Sequence, residues 1–270
     1  MFFFFNTFDN NYYDHDSSIL LSPIFFFILT VPFATRKNKV LIIFFSICIV
    51  IFEPYWRANI LRISVCWISV LMYFTFGMQK RLLNMLGVIT FIIPLIFLFT
   101  GSKNNFAIFD DLSTVTEDKK LNPNTRSFLF IEVFNSIKNK DINLVIGGGA
   151  SNGYLTNYFS DDSVSLSSKR ERYKTEVAFL NTINRSGIIG VILDLLLFFI
   201  PAYYAINRSN NNFTKLLGLY MYFASILYFV EMSQSFNLIY FFHFFIVGLC
   251  MNNSFRESSD NEIKFFFKSL

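Results

Sequence analysis

The sequence predicts an all-α protein: a polytopic transmembrane helical bundle with one large, partly helical loop outside the membrane. Three observations predict this class. Of the 270 residues, 53% are hydrophobic, with 38 phenylalanines among them. A soluble domain of that size has too high a surface-to-volume ratio to hide so much apolar surface. The apolar residues fall in blocks of the length that crosses a bilayer core as a helix. Lys and Arg concentrate in alternate connections between the blocks, as cytoplasmic loops do. Part of the phenylalanine excess fits an AT-rich codon bias, given the accompanying Ile, Asn and Lys, so the opening MFFFF is not read as a motif.

Taken in order, seven apolar segments run over 19–35, 40–53, 60–78, 83–100, 187–206, 214–230 and 236–252. The second is short and reads as a tilted or partial span. Pro32, Pro94 and Pro201 lie inside or near span ends, where membrane helices tolerate them. Arg36, Lys37 and Lys39 occupy the first connection, Lys80 and Arg81 the third, and Arg208 and Lys215 the one after the fifth span. Arg256, Lys264 and Lys268 follow the last span. One orientation satisfies all four groups: basic loops and C-terminus in the cytoplasm, N-terminus and residues 101–186 outside. The acidic start, with Asp9, Asp14 and Asp16, agrees. Residues 1–100 then form an N-terminal bundle of four spans, 101–186 the outside loop, 187–252 a bundle of three spans, and 253–270 a cytoplasmic tail. No basic n-region or small-residue cleavage site marks a signal peptide. An outside N-terminus without a signal is expected where earlier spans are missing from the sequence.

The outside loop is too long for a connector. Residues 101–122 are polar and acidic and read as irregular. NPNTRSFLFIEVFNSIKNK predicts a helix over 122–140, capped by Asn124 or Thr125, with Phe128, Ile131, Phe134 and Ile137 on its apolar face. INLVIGGGASNGY reads as a short strand-like run ending in Gly147, Gly148 and Gly149. RYKTEVAFLNTINR predicts a second helix over 172–185 that feeds the fifth span.

Charge within the loop is uneven. Residues 101–162 hold six basic and eight acidic side chains. Residues 169–185 hold Lys169, Arg170, Arg172, Lys174 and Arg185 against Glu171 and Glu176. Three readings of this cluster stand: ordinary solvation with salt bridging, attraction to anionic lipid headgroups, and the gripping of a phosphate-bearing ligand by arginine forks. The three glycines read either as a flexible turn or as backbone that approaches an anion closely. Glu176 reads as an i,i+4 helix partner of Arg172 or as a base among cations. Cys48, Cys66 and Cys250 lie inside apolar blocks and give neither a disulfide framework nor a metal-site spacing. The net charge of +4 gives no sign of nucleic acid as a partner.

The order of these features carries a resemblance. Arg126 opens the large outside loop, VIGGGASNGY forms a Gly-rich turn, and Glu176 stands eleven positions ahead of Gly187 in EVAFLNTINRSGIIG. Over about residues 120–250 this resembles the O-antigen polymerase and O-antigen ligase superfamily. The resemblance implies a multi-pass glycosyltransferase of the bacterial inner membrane, acting in polysaccharide biosynthesis. Its substrate would be an undecaprenyl-pyrophosphate-linked oligosaccharide on the periplasmic face, with membrane lipids and other polysaccharide-assembly proteins as partners. Ligases commonly carry a histidine where Glu176 stands, so the departure favours a polymerase. The superfamily has more spans than seven, in line with missing N-terminal spans. In this scheme Glu176 is the base, and Arg126, Arg172 and Arg185 hold the leaving pyrophosphate. Lys169, Arg170 and the three glycines bind substrate. No metal and no cofactor is needed, because guanidinium groups take that place. A ligase or a lipid-linked oligosaccharide flippase is the alternative, although a flippase tends to show internal repeats.

Two ionisable residues lie within the later spans. Asp194 is seven residues past Gly187, about 10 Å below the outer surface at 1.5 Å per residue. His243 lies at similar depth in the last span. Ionisable groups at such depth find a partner or line a polar cavity, so both are expected either to face one substrate cavity or to be satisfied separately. Glu53, Arg57 and Glu231 are expected near its outer mouth.

Overall fold

Each of the seven apolar segments folds as a helix in the computed structural model, which describes residues 16–52, 57–103, 125–156, 171–230, 232 and 238–269. The helices in chain order are α1 (Asp16–Thr30), α2 (Arg36–Phe52), α3 (Arg57–Phe76), α4 (Lys80–Lys103), α5 (Thr125–Asn139), α6 (Ala178–Asn207), α7 (Asn212–Val230) and α8 (Leu238–Met251). Two more, α9 (Asn253–Glu257) and α10 (Asp260–Ser269), follow. Among the described residues three stretches are long and apolar enough to cross a membrane: Asn59–Phe76 in α3, and all of α6 and α7. Pro94 and Pro201 sit inside α4 and α6, and both helices continue through them.

The chain divides into two compact units that do not follow chain order. The first comprises 1–87, 198–224 and 234–270, the second 88–197 and 225–233.

In the first unit α1 packs against α2, α3 and α8, α2 against α3, and α8 against α9. Only a narrow stripe of α2 faces these neighbours. Ile42, Ser46 and Ile49 are buried, at the i, i+4, i+7 spacing of one helix face. Val40, Leu41, Ile43, Phe44, Phe45, Ile47, Val50 and Ile51 are exposed. A continuous apolar surface of this extent is stable against lipid and aggregates in water. Several basic residues of the connections meet at one end of this unit. Lys80 Nζ donates to the Asn207 carbonyl at 2.9 Å, capping the last turn of α6. Arg208 and Arg256 both lie over the Tyr204 ring, 4.8 and 5.2 Å from its centroid.

Residues 253–270, expected as a tail, are tied down. Asn211 caps α7 by accepting from the Thr214 amide at 2.7 Å, and its own amide nitrogen donates to the carbonyls of Phe255 (2.8 Å) and Ser258 (3.1 Å). Asp260 accepts from the Asn212 amide at 2.7 Å. Helix α10 opens with Ser259 and Glu262 capping each other reciprocally.

In the second unit a two-residue ribbon, β1 (Tyr154–Leu155) and β2 (Glu171–Arg172), is antiparallel, with Tyr154 opposite Arg172 and Leu155 opposite Glu171. Helix α5 packs on β1. The helix expected at 122–140 is present, but its buried face differs from the expected one. Leu129, Phe130, Val133 and Ile137 are buried together with Glu132 and Ser136, whereas Ile131 and Phe134 are half-buried. The cause is tertiary. Phe130 stacks on Phe179 of α6 at 6.2 Å, and Ser136 Oγ accepts from the Leu155 amide at 3.1 Å, so two neighbours press on this side.

Two expectations for this region are overturned. The helix expected over 172–185 begins only at Ala178. Residues 171–172 pair as strand and 173–177 are irregular, held by an Asn181–Thr175 clasp: the Thr175 amide donates to Asn181 Oδ1 (2.7 Å), and Asn181 Nδ2 donates to the Thr175 carbonyl (2.9 Å). An i,i+4 helical pair of Arg172 with Glu176 therefore does not form. The run before the glycines is a series of turns, and the strand lies beyond them at Tyr154.

Candidate functional site

The site grows from an interruption in α6. Gly187 has φ 63° and ψ −160°, a conformation essentially confined to glycine. It separates a short arm, 178–186, from the long arm, 188–207. In a straight helix Thr182 and Asp194 would stand about 18 Å apart along the axis. Here Thr182 Oγ1 donates to Asp194 Oδ2 at 2.8 Å, so the short arm doubles back along the long one. Gly190 permits the turn, because a Cβ there would lie 2.4 Å from Ser186 Cβ and 2.9 Å from Thr182 Cγ2.

Breaking a helix strands carbonyls on one side and amides on the other. Residues 143–149 satisfy both sets. The amides of Gly148 and Gly149 donate to the carbonyls of Asn184 and Arg185, each at 2.9 Å. The amides of Ile188 and Ile189 donate to the carbonyls of Leu144 (2.9 Å) and Val145 (3.1 Å). The two backbones come so close that a Cβ on Gly187 would lie 2.4 Å from the Val145 carbonyl oxygen, and one on Gly147 would lie 2.4 Å from Arg185 C. Asn152 and Asn184 close the dock by donating to each other's side-chain and main-chain oxygens, at 3.1 and 3.0 Å. Gly147, Gly148 and Gly149 thus serve a backbone junction. The Gly147 amide donates to the Asn143 carbonyl at 2.7 Å, so all three glycine amides are committed to carbonyls and do not offer an anion cradle.

Two residues beyond Asn152, Tyr154 stands opposite Arg172 in the ribbon. The ring is buried, and burial pushes the hydroxyl pKa up to about 12. The Arg172 guanidinium, brought beside it by the strand pairing, opposes that rise, while Glu132 and Glu176 add to it. One guanidinium and two carboxylates therefore act electrostatically on one buried hydroxyl. Glu132 is buried on α5, and Glu176 is exposed at the entrance to α6. Lys140 braces the same ribbon: its Nζ bonds the Gly153 carbonyl at 2.6 Å and Glu171 Oε1 at 2.8 Å. Arg185 donates to the carbonyl of Tyr173, next in chain to Arg172.

Of the residues the sequence singled out, Arg172 and Glu176 both act on the Tyr154 hydroxyl, and Arg185 bonds the carbonyl of the residue that follows Arg172. Arg126 is in the first turn of α5; its side chain lies outside the described residues, as do Lys169, Arg170, Glu53 and Glu231 and the side chain of Arg57. Asp194 is half-buried, and Tyr228 donates to the same Oδ2 as Thr182, at 2.9 Å. His243 is buried in α8, with the Phe198 ring centroid 4.8 Å away and that of Tyr240 at 6.4 Å. Sequence reasoning missed Glu132 and Tyr154. The only trace of Glu132 is a lone carboxylate in the apolar run SFLFIEVF, and Tyr154 closes a turn-like stretch that drew attention for its glycines. Among the described residues no three His, Cys, Asp or Glu side chains gather as they would around a metal ion.

Set against protein-family models, curated proteins and solved structures, the chain matches none of them.

Proposed function

We propose that this chain is a membrane glycosyltransferase that polymerises undecaprenyl-pyrophosphate-linked oligosaccharide repeat units on the periplasmic face of a bacterial inner membrane. The observation that carries the reading is the shared electrostatic influence of Arg172, Glu132 and Glu176 on Tyr154, on the short arm's side of a membrane-length helix. A lipid-linked diphosphate needs cations close to the bilayer boundary, and an attacking sugar needs a base next to them.

In the reaction Glu176 removes the proton from a hydroxyl of one repeat unit. The freed oxygen pair forms a bond to the anomeric carbon of another chain. The bond from that carbon to the diphosphate oxygen breaks, and its electron pair leaves with the lipid pyrophosphate. Arg172, Arg185 and Arg126 stabilise the charge that develops there. Arg185 spends one N–H on the Tyr173 carbonyl and keeps others from its five. The meeting of basic connections around Asn207 and Tyr204 supports a cytoplasmic location for that end, since such residues gather on the cytoplasmic side.

The test is the surface-glycan ladder of cells carrying Glu176→Gln, Arg172→Ala or Arg126→Ala. Loss of the base lowers chain extension by about 100-fold or more and leaves single repeat units on the carrier or acceptor. A flippase defect would leave no units outside, and a ligase defect would leave long chains on the carrier. Unchanged chain lengths in all three variants at normal expression would reject the assignment.

A further inference from the structure

The loop that repairs the α6 break carries three consecutive apolar side chains, Leu144, Val145 and Ile146, which are 41%, 52% and 61% exposed. Among the described residues of the second unit, no other turn leaves so apolar a run uncovered without a helix around it. The carbonyls of Leu144 and Val145 are bonded to the amides of Ile188 and Ile189, which places the loop directly beside the start of the long arm. That arm continues the same surface with Ile188, Ile189, Ile192 and Leu193, all exposed, on a helix of membrane-spanning length and composition.

A second observation concerns the loop's backbone. Irregular backbone is excluded from hydrocarbon because its amides and carbonyls find no water there. This loop meets much of that requirement internally. The Val145 amide donates to Asn143 Oδ1 at 2.8 Å. The amides of Gly147, Gly148 and Gly149 and the carbonyls of Asn143, Leu144 and Val145 are all bonded within the junction. Exposed apolar side chains, with much of the polar backbone paired inward, is the arrangement that a lipid boundary selects.

We infer that residues 144–146 enter the hydrocarbon of the bilayer as a wedge, continuous with the exposed isoleucine face of α6. The Gly187 break, and the arms that carry Arg185 and Asp194, are then fixed at a set depth relative to the membrane. The occupant of this surface is bilayer hydrocarbon. The inference rests on α6 as a span and stands independently of the glycosyltransferase reading, because its readout is contact with lipid rather than glycan length.

Two measurements test it on the full chain reconstituted in phosphatidylcholine vesicles. In the unaltered protein, a lipid with a diazirine in its acyl chain is photoactivated and the adducts are mapped by mass spectrometry. Adducts are expected on 144–146 as well as on 188–193. In the second, Ile146→Trp is placed in a background where Trp56 and Trp67 are replaced by phenylalanine. The emission of this variant is expected to fall at least twofold with acyl-brominated lipid and little with aqueous iodide, whereas Tyr173→Trp shows the reverse. If 144–146 take no adducts while 188–193 do, the wedge is rejected. Quenching of the Ile146→Trp variant by iodide but not by brominated lipid rejects it equally. Should Ile146→Trp not fold, the adduct map of the unaltered chain decides alone.

Discussion

Gly187 and Gly149 both hold a positive φ, yet a methyl group means different things at the two positions. At Gly149 (φ 87°) a Cβ would meet open space, so Gly149→Ala costs only the backbone strain of about 1–2 kcal/mol. At Gly187 the same strain is joined by a backbone oxygen 2.4 Å away. That oxygen cannot retreat without breaking the bonds between 144–145 and 188–189. Gly187→Ala is therefore expected to destabilise by about 2–5 kcal/mol. Thermal unfolding in detergent checks the order, and equal losses at the two sites would contradict the backbone junction. The glycines were visible in the sequence, but their partners were not. GGG reads as a local turn and RSGIIG as the entry to a span, and only their contact shows that one repairs the other. Glu132 and Tyr154 were illegible for a related reason. A carboxylate on a helix becomes functional or ordinary according to what packs on it, and here that is a strand some twenty residues further along the chain.

At the scale of elements, α6 is one long helix by sequence and a hairpin of two arms in space. Asp194 holds the hairpin. It accepts from Thr182 on the short arm and from Tyr228 on α7, both through Oδ2. Thr182→Val and Tyr228→Phe are each expected to cost about 1 kcal/mol, and Asp194→Ala more than either, because it strands two buried hydroxyls. The accompanying readout is amide hydrogen exchange at 188 and 189, which is expected to speed up in Asp194→Ala as the arms loosen. Unchanged exchange there would remove Asp194 from the clamp. The expectation that Asp194 is costly at its depth and finds partners was readable from the span. The identity of those partners was not, because a helix that continues straight would carry Thr182 out of reach.

For the molecule as a whole, the exposed apolar face of α2 and the helices α3, α6 and α7, long and apolar enough to cross a membrane, suit lipid as their surroundings. The distribution of Lys and Arg predicts the C-terminus in the cytoplasm. A fluorescent protein fused after Leu270 is expected to fluoresce, and alkaline phosphatase inserted within residues 104–124 is expected to be active. Inactive phosphatase there would invert the expected orientation and, with it, the proposed periplasmic placement of the site.

The sequence by itself determined that the apolar segments are helices and that α5 exists, since hydrophobic block length and local propensity act within a few turns of chain. It also marked Arg172, Glu176 and the glycines as unusual. Only the tertiary structure decided that the second loop helix starts at Ala178, that the Gly148 and Gly149 amides serve α6, and that Arg172 lies opposite Tyr154. These outcomes depend on unpaired backbone groups finding partners across gaps of roughly forty residues, and a local pattern holds no record of which distant group will satisfy them.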